Sequence, residues 1–110
     1  MSNFKKPKIR SIPHLEFIRS LPCLKCGVYP SDAAHIRRGT DGGTGIKPSD
    51  EWTVPLCREC HQEQHRIGEP AFFRNMDKVR ELARKLWLYS GDSWSSITII
   101  CKERTGLFHG

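Results

Sequence analysis

Four of the five cysteines fall into two Cys-x-x-Cys pairs, Cys23 with Cys26 and Cys57 with Cys60, and 30 residues separate the pairs. Each pair offers two thiolates at a bite that suits a tetrahedral ion, so together they predict one four-cysteine zinc site. The chain shows no secretory signal, and in the reducing cytoplasm this implies, such pairs bind metal rather than form disulfides. A site closed by four thiolates has no open position for substrate. It is structural, and its binding energy goes into folding. At 110 residues with 37% hydrophobic content, one compact domain with a thin core is expected, and a thin core gains most from a metal staple. Cys101 stands outside the pattern and reads as a small buried apolar residue.

The segments around the cysteines follow from caps and breakers. Residues 1–10 carry Lys5, Lys6, Lys8 and Arg10 around Pro7 and read as a flexible basic arm. Ser11, Pro13 and Glu16 mark a helix start, with Ile12, Leu15, Ile18 and Phe17 as its apolar stripe, up to Ser20. Ala33 to Ile36 fits a short half-buried strand carrying His35, and Trp52 to Leu56 a second one, placed at an edge by Pro55. Between them Gly39, Gly42, Gly43 and Gly45 form a structural turn. With no Gly-Lys-Ser or Gly-Lys-Thr to close it, the run is not a phosphate-binding loop. Cys57 leads straight into a helix that ends at Gly68 and Pro70. A longer amphipathic helix is predicted over about residues 71–89, and the run from Ile97 to Cys101 fits a strand or a helix end.

Charge narrows the partner. Eighteen Lys and Arg against 12 Asp and Glu, net +6, suit a polyanion, and nucleic acid leads. No apolar run reaches the roughly 20 residues that cross a bilayer, so a membrane-spanning role is set aside. Arg37, Arg38, Lys47 and Arg66 are the cations nearest the motifs and suit phosphate contacts, although a solvated surface explains such charges equally well. His61 and His65 stand four apart on the predicted helix and share a face, a recurrent way to hold a divalent ion. Either histidine is also chemically able to replace a cysteine at the zinc.

Cys23-Leu24-Lys25-Cys26-Gly27, the Ala34-His35-Ile36 segment, the glycine-rich loop, Val54-Pro55-Leu56-Cys57 and Cys60-His61 with His65 together resemble the HNH, or ββα-metal, endonucleases, especially small phage and prophage members. The resemblance covers residues 15–75. It implies an α+β fold, a zinc-stapled, treble-clef-like ββα-metal domain over residues 11–110 with flanking helices and its motif core at 21–68. It also implies hydrolysis of DNA phosphodiesters to a 3′-hydroxyl and a 5′-phosphate. By resemblance His35 is the general base, and His61 and His65 bind a catalytic divalent ion such as Mg²⁺ or Mn²⁺. An imidazole with an ordinary pKa near 6.5 is suited to take a proton from water near neutral pH. DNA is then the partner, a recombination or replication protein the class that would deliver it, and the cytoplasm of a bacterium carrying the phage the place. Oligomeric state stays open.

Two positions depart from the family pattern. Ala34 stands where many members have a third metal ligand, which leaves Asp50, Asp32 or water to supply it. Trp52 stands where the family has an asparagine that orients the base, which leaves Asp50 or a backbone carbonyl for that task. A non-catalytic zinc module that binds nucleic acid, or a zinc finger for protein contacts, are the rival readings.

Overall fold

In the computed structural model of the chain, which describes residues 8–42 and 46–108, Ser11 opens the first helix, α1 (Ile12–Arg19). Its side-chain oxygen accepts the His14 amide, and Pro13 fills the first turn, where a missing N–H costs nothing. The buried face differs from the predicted stripe. Ile18 is fully buried, yet Ile12 is 71% exposed and His14 points inward. His14 is held there by residues far along the chain: its ring meets Trp87 edge-on with centroids 4.8 Å apart, and Nδ1 lies 2.7 Å from the Ser90 hydroxyl.

Strands β1 (Asp32–His35) and β2 (Thr53–Leu56) pair antiparallel, with Asp32 opposite Leu56 and His35 opposite Thr53. Pro55 is tolerated because a two-stranded sheet is all edge, and its carbonyl accepts the Leu24 amide at 2.8 Å, tying the first cysteine knuckle to the sheet. All four β2 residues are buried, since α1 and the two later helices α2 (Arg58–Ile67) and α4 (Met76–Leu88) pack against them. The turn between the strands is tied down on its described side. Thr40 donates its hydroxyl to the Ile36 carbonyl, and the Asp41 carboxylate accepts both the amide and the hydroxyl of Ser49. Gly43 and Gly45 lie outside the described residues.

Residues 8–10 are not a free arm. Ile9 donates its amide to the Ser49 hydroxyl and accepts the Asp50 amide, at 2.9 and 2.8 Å. Arg10 donates to the carbonyls of Lys47 and Pro48 and lies 3.3 Å from the Asp50 carboxylate. The rest of the predicted arm, residues 1–7 with Lys5 and Lys6, lies outside the described residues.

The helix predicted over 71–89 is two helices. Pro70 lies in the first turn of α3 (Glu69–Phe73), Arg74 takes φ 66°, and the Asn75 side chain then caps α4 by accepting the Lys78 amide at 3.0 Å. The undecided run from Ile97 to Cys101 lies inside α5 (Ser93–Phe108), which buries Ile100 and Leu107 completely. Cys101 is exposed, against expectation, because it stands about 100° round the axis from Ile100. Arg104 donates from α5 to the carbonyls of Leu24 and Cys23 at 2.7 and 3.1 Å. The C-terminal helix thus clamps the first knuckle from behind. Phe72, Phe73, Leu82, Leu86, Ile100 and Leu107 join Ile18, Leu21, Leu24, Val54 and Leu56 in one core.

Candidate metal centre and phosphate cleft

The four cysteine sulfurs lie within 4.8 Å of one another, and those of Cys26 and Cys57 are 3.6 Å apart. Four thiolates about 2.3 Å from a tetrahedral zinc stand about 3.8 Å from each other, so the donor set fits a structural zinc. Local backbone chemistry builds it. Gly27 at φ 79° turns the chain so that its amide meets the Cys23 carbonyl at 2.9 Å, while the Cys23 amide meets the Val28 carbonyl at 2.9 Å. On the other side Cys57 precedes α2, and Cys60 follows in its first turn. Burial resists ionisation of Cys23, but the amides of Cys26, Cys57 and Lys25 outweigh it and bring the thiol down to about 7. Burial and the neighbouring sulfurs push Cys26 and Cys60 upward. Sulfurs this close can all ionise only with a cation among them.

One turn further, the Nε2 atoms of His61 and His65 converge to 3.2 Å. Two imidazole nitrogens sharing one ion at 2.0–2.1 Å would stand about 2.8–3.4 Å apart. His61 Nδ1 lies 3.0 Å from Asp32 Oδ2, so Nδ1–H donates to the carboxylate and Nε2 keeps its lone pair. The hydrogen bond from His61, with help from Arg58 and against burial, holds the Asp32 carboxyl below the usual range. Among the described residues, the four cysteines are the one group of three or more His, Cys, Asp or Glu side chains close enough to share an ion. The third ligand sought in Asp32 or Asp50 is therefore not at the pair. Asp32 holds the rear nitrogen of His61, and Asp50 is engaged elsewhere.

Asp50 faces His35. Its Oδ1 lies 2.9 Å from His35 Nε2, its Oδ2 accepts the Ser11 amide at 2.8 Å, and its side chain is 2% exposed. The imidazole then carries its proton on Nε2 and its lone pair on Nδ1. Burial pulls the His35 pKa below its ordinary value, and the charges of Lys47 and Arg10 act the same way against the pull of Asp50. Burial would raise Asp50, but the His35 hydrogen bond, the Ser11 amide and the Arg10 charge outweigh it and hold the carboxyl low. Near pH 7 the pair is a neutral imidazole on a carboxylate. Trp52 takes no part in it: its ring lies under the Arg84 guanidinium at 5.5 Å.

His35 from β1 and the two α2 histidines line one cavity of about 240 Å³ together with Ala33, Arg37 and Lys47. Arg38 lines a neighbouring cavity, whereas Arg66 is exposed on α2 and lines neither. Glu69, which sequence reasoning passed over, fixes this wall: its carboxylate accepts the backbone amides of Arg37 and Arg38 at 2.7 and 2.8 Å. Its signal in the sequence is only that of an acid opening a helix. Ser11 and Arg10, which hold Asp50, carried no signal of that task.

A family described as "Protein of unknown function (DUF968)" matches residues 1–76, a span that contains all four zinc-type cysteines, His35, Asp50, His61 and His65. "Uncharacterized protein YdfU" of Escherichia coli (strain K12) is similar too, 35% identical over 52 residues, which are 47% of this chain. Those residues span 15% of that relative's length. No solved structure matches. Among the described residues no helix is long and apolar enough to cross a membrane.

Proposed function

We propose that this chain, which belongs to the family of proteins of unknown function DUF968, is a zinc-stapled ββα-metal endonuclease that hydrolyses DNA phosphodiesters with His35 as general base. The observation that carries the reading is the pairing of His35 with the buried Asp50 carboxylate, across one cavity from the converging His61 and His65 nitrogens. Arg37 and Lys47 line that cavity and supply positive charge for the phosphate oxygens. His35 Nδ1 takes a proton from water as the water oxygen attacks phosphorus; the P–O3′ bond breaks and its electron pair leaves on the 3′ oxygen, which is protonated from solvent. Asp50 stabilises the imidazolium that forms and fixes the tautomer that can receive the proton. A divalent ion on His61 and His65 would polarise the phosphate and offset charge on the leaving oxygen. Imidazole ligands suit Mn²⁺ and later transition metals better than Mg²⁺, so Mn²⁺ is expected to support the faster reaction.

The zinc-loaded protein is expected to nick supercoiled plasmid with Mn²⁺ and, more slowly, with Mg²⁺, leaving ends that ligase can reseal. Plasmid left intact with every divalent ion tried would favour the second reading, a non-catalytic zinc module that binds nucleic acid. What supports that alternative is that, among the described residues, the histidine pair has no third protein ligand.

Asp32 offers a separate check on the His61–His65 pair. Carboxylates behind a ligating imidazole are worth about 10–100-fold in metal affinity. Asp32→Ala is expected to weaken Mn²⁺ binding by about that factor, measured by calorimetry on protein that retains its zinc. An unchanged affinity would mean that the ion, if bound, is not held through His61 Nε2.

A further inference from the structure

Beside the phosphate cleft, and sharing His35, Arg37 and His65 with it, lies a second cavity of about 470 Å³. Its size falls in the about 300–1,000 Å³ range of small-ligand sites. Gln64 of α2 lines it while only 4% exposed, and its side-chain Oε1 is buried without a hydrogen-bond partner. Buried amide oxygens in folded proteins are nearly always satisfied, and an unpartnered one on a residue of the cavity wall marks a place where a small turn of the side chain would meet a donor from outside. Glu69 in the same wall is already engaged, each of its oxygens accepting one backbone amide, from Arg37 and Arg38. Gly68, at φ 89°, lies in the same wall, and a Cβ built on it would meet nothing within 4 Å.

We infer that this second cavity receives an unpaired nucleobase of the strand being cut, read by the Gln64 carboxamide. The inference rests on the nuclease reading for one point, the placing of a phosphodiester at His35. From there the geometry dictates the ligand. A group covalently attached to that phosphate and entering the adjoining cavity is the neighbouring nucleoside. Its lining supplies residue types suited to a base: the Gln64 carboxamide, whose donor and acceptor match the N6 and N7 edge of adenine, and the imidazoles of His35 and His65 with the guanidiniums of Arg37 and Arg38, groups of the kind on which bases stack. Bases in an intact duplex are stacked and paired inside it, so only a flipped or single-stranded nucleotide can enter. The chain is thereby a reader of unpaired DNA, such as a single strand, a gap or a branch, with adenine favoured at the position beside the cut.

The test uses the full-length zinc-loaded protein and an oligonucleotide carrying one 2-aminopurine. Without an added divalent ion, fluorescence titration is expected to show saturable binding to the single strand that is at least fivefold tighter than to the same strand fully paired. Gln64→Leu preserves volume and removes an unpartnered buried polar atom, so it is expected to fold, and to lose that preference. With Mn²⁺ present, cleavage of the single strand should fall at least fivefold in this variant. Plasmid nicking with an unchanged single-strand preference in Gln64→Leu overturns the base pocket and leaves the nuclease standing. Intact plasmid in Mn²⁺ combined with a fluorescence response that Gln64→Leu abolishes keeps the pocket and removes the nuclease.

Discussion

Replacing His35 with alanine is expected to slow plasmid nicking by about 10²–10⁴-fold, the usual loss when a positioned base is removed. Zinc content and the circular dichroism spectrum should not change. The fold can absorb the loss because the imidazole sits at the end of β1, and because Asp50 keeps the Ser11 amide and Arg10 when the ring is gone. A buried carboxylate left with no partner would be costly; this one keeps two. The pH profile gives an independent check. His35 must be neutral to accept a proton, and burial lowers its folded pKa below 6.5, so the rate should already be on its plateau at pH 7 and fall only as pH drops through that lowered value. Stability runs the same way. The folded state holds fewer protons at this site than the unfolded chain, so acidification below about pH 6.5 destabilises the fold, and the loss is complete once pH is below the folded value. His14, also lowered by burial, adds to the loss with the same sign. A His35→Ala protein that nicks plasmid as fast as the parent would remove the general base from the scheme.

The same substitution shows which parts of the site a sequence can reveal. The two cysteine pairs, the His61 and His65 spacing and the Ser11 cap are local patterns, set by residues within four positions of each other, and the structure brings each set together as its spacing implies. Partners that meet only after folding carry no such pattern. Asp50 could be weighed as a metal ligand or as an orienting group; its pairing with His35 is settled by Ser11 and Arg10, which lie about 40 residues away in sequence. Glu69 reaches back over 30 residues to two backbone amides, and a backbone amide has no side-chain signature to read. Helix boundaries failed for a related reason. Apolar periodicity runs unbroken from Phe72 to Trp87, and what divides it is the backbone of Arg74 together with a single asparagine cap. The inward turn of His14 likewise depends on Trp87 and Ser90, more than 70 residues away. Ile12 loses its expected place in the core as a result.

Removing one zinc ligand is expected to have the largest effect on the molecule as a whole, and Cys57→Ser is the variant that tests it. Cys57 is 7% exposed, joins the end of β2 to the start of α2, and accepts the His61 amide at 2.8 Å through its carbonyl. Structural zinc contributes about 10–16 kcal/mol of apparent binding free energy in small zinc-finger peptides near pH 7. The net stability of a domain is only about 5–15 kcal/mol. A site with three thiolates and a hydroxyl should therefore leave the chain largely unfolded, with helical circular dichroism lost and no zinc found by metal analysis. Chelation of the parent protein should give the same state, and zinc should reverse it. Cys101→Ser is the control: its side chain is exposed and apart from the cluster, so zinc content and melting temperature should match the parent. Because Cys60 and His61 are neighbours on α2, a zinc on the four cysteines would also anchor the helix that carries His61 and His65, and loss of zinc should abolish Mn²⁺ binding at the pair together with the fold. A Cys57→Ser protein with native circular dichroism and an unshifted melting temperature would show that the apolar core suffices without the metal.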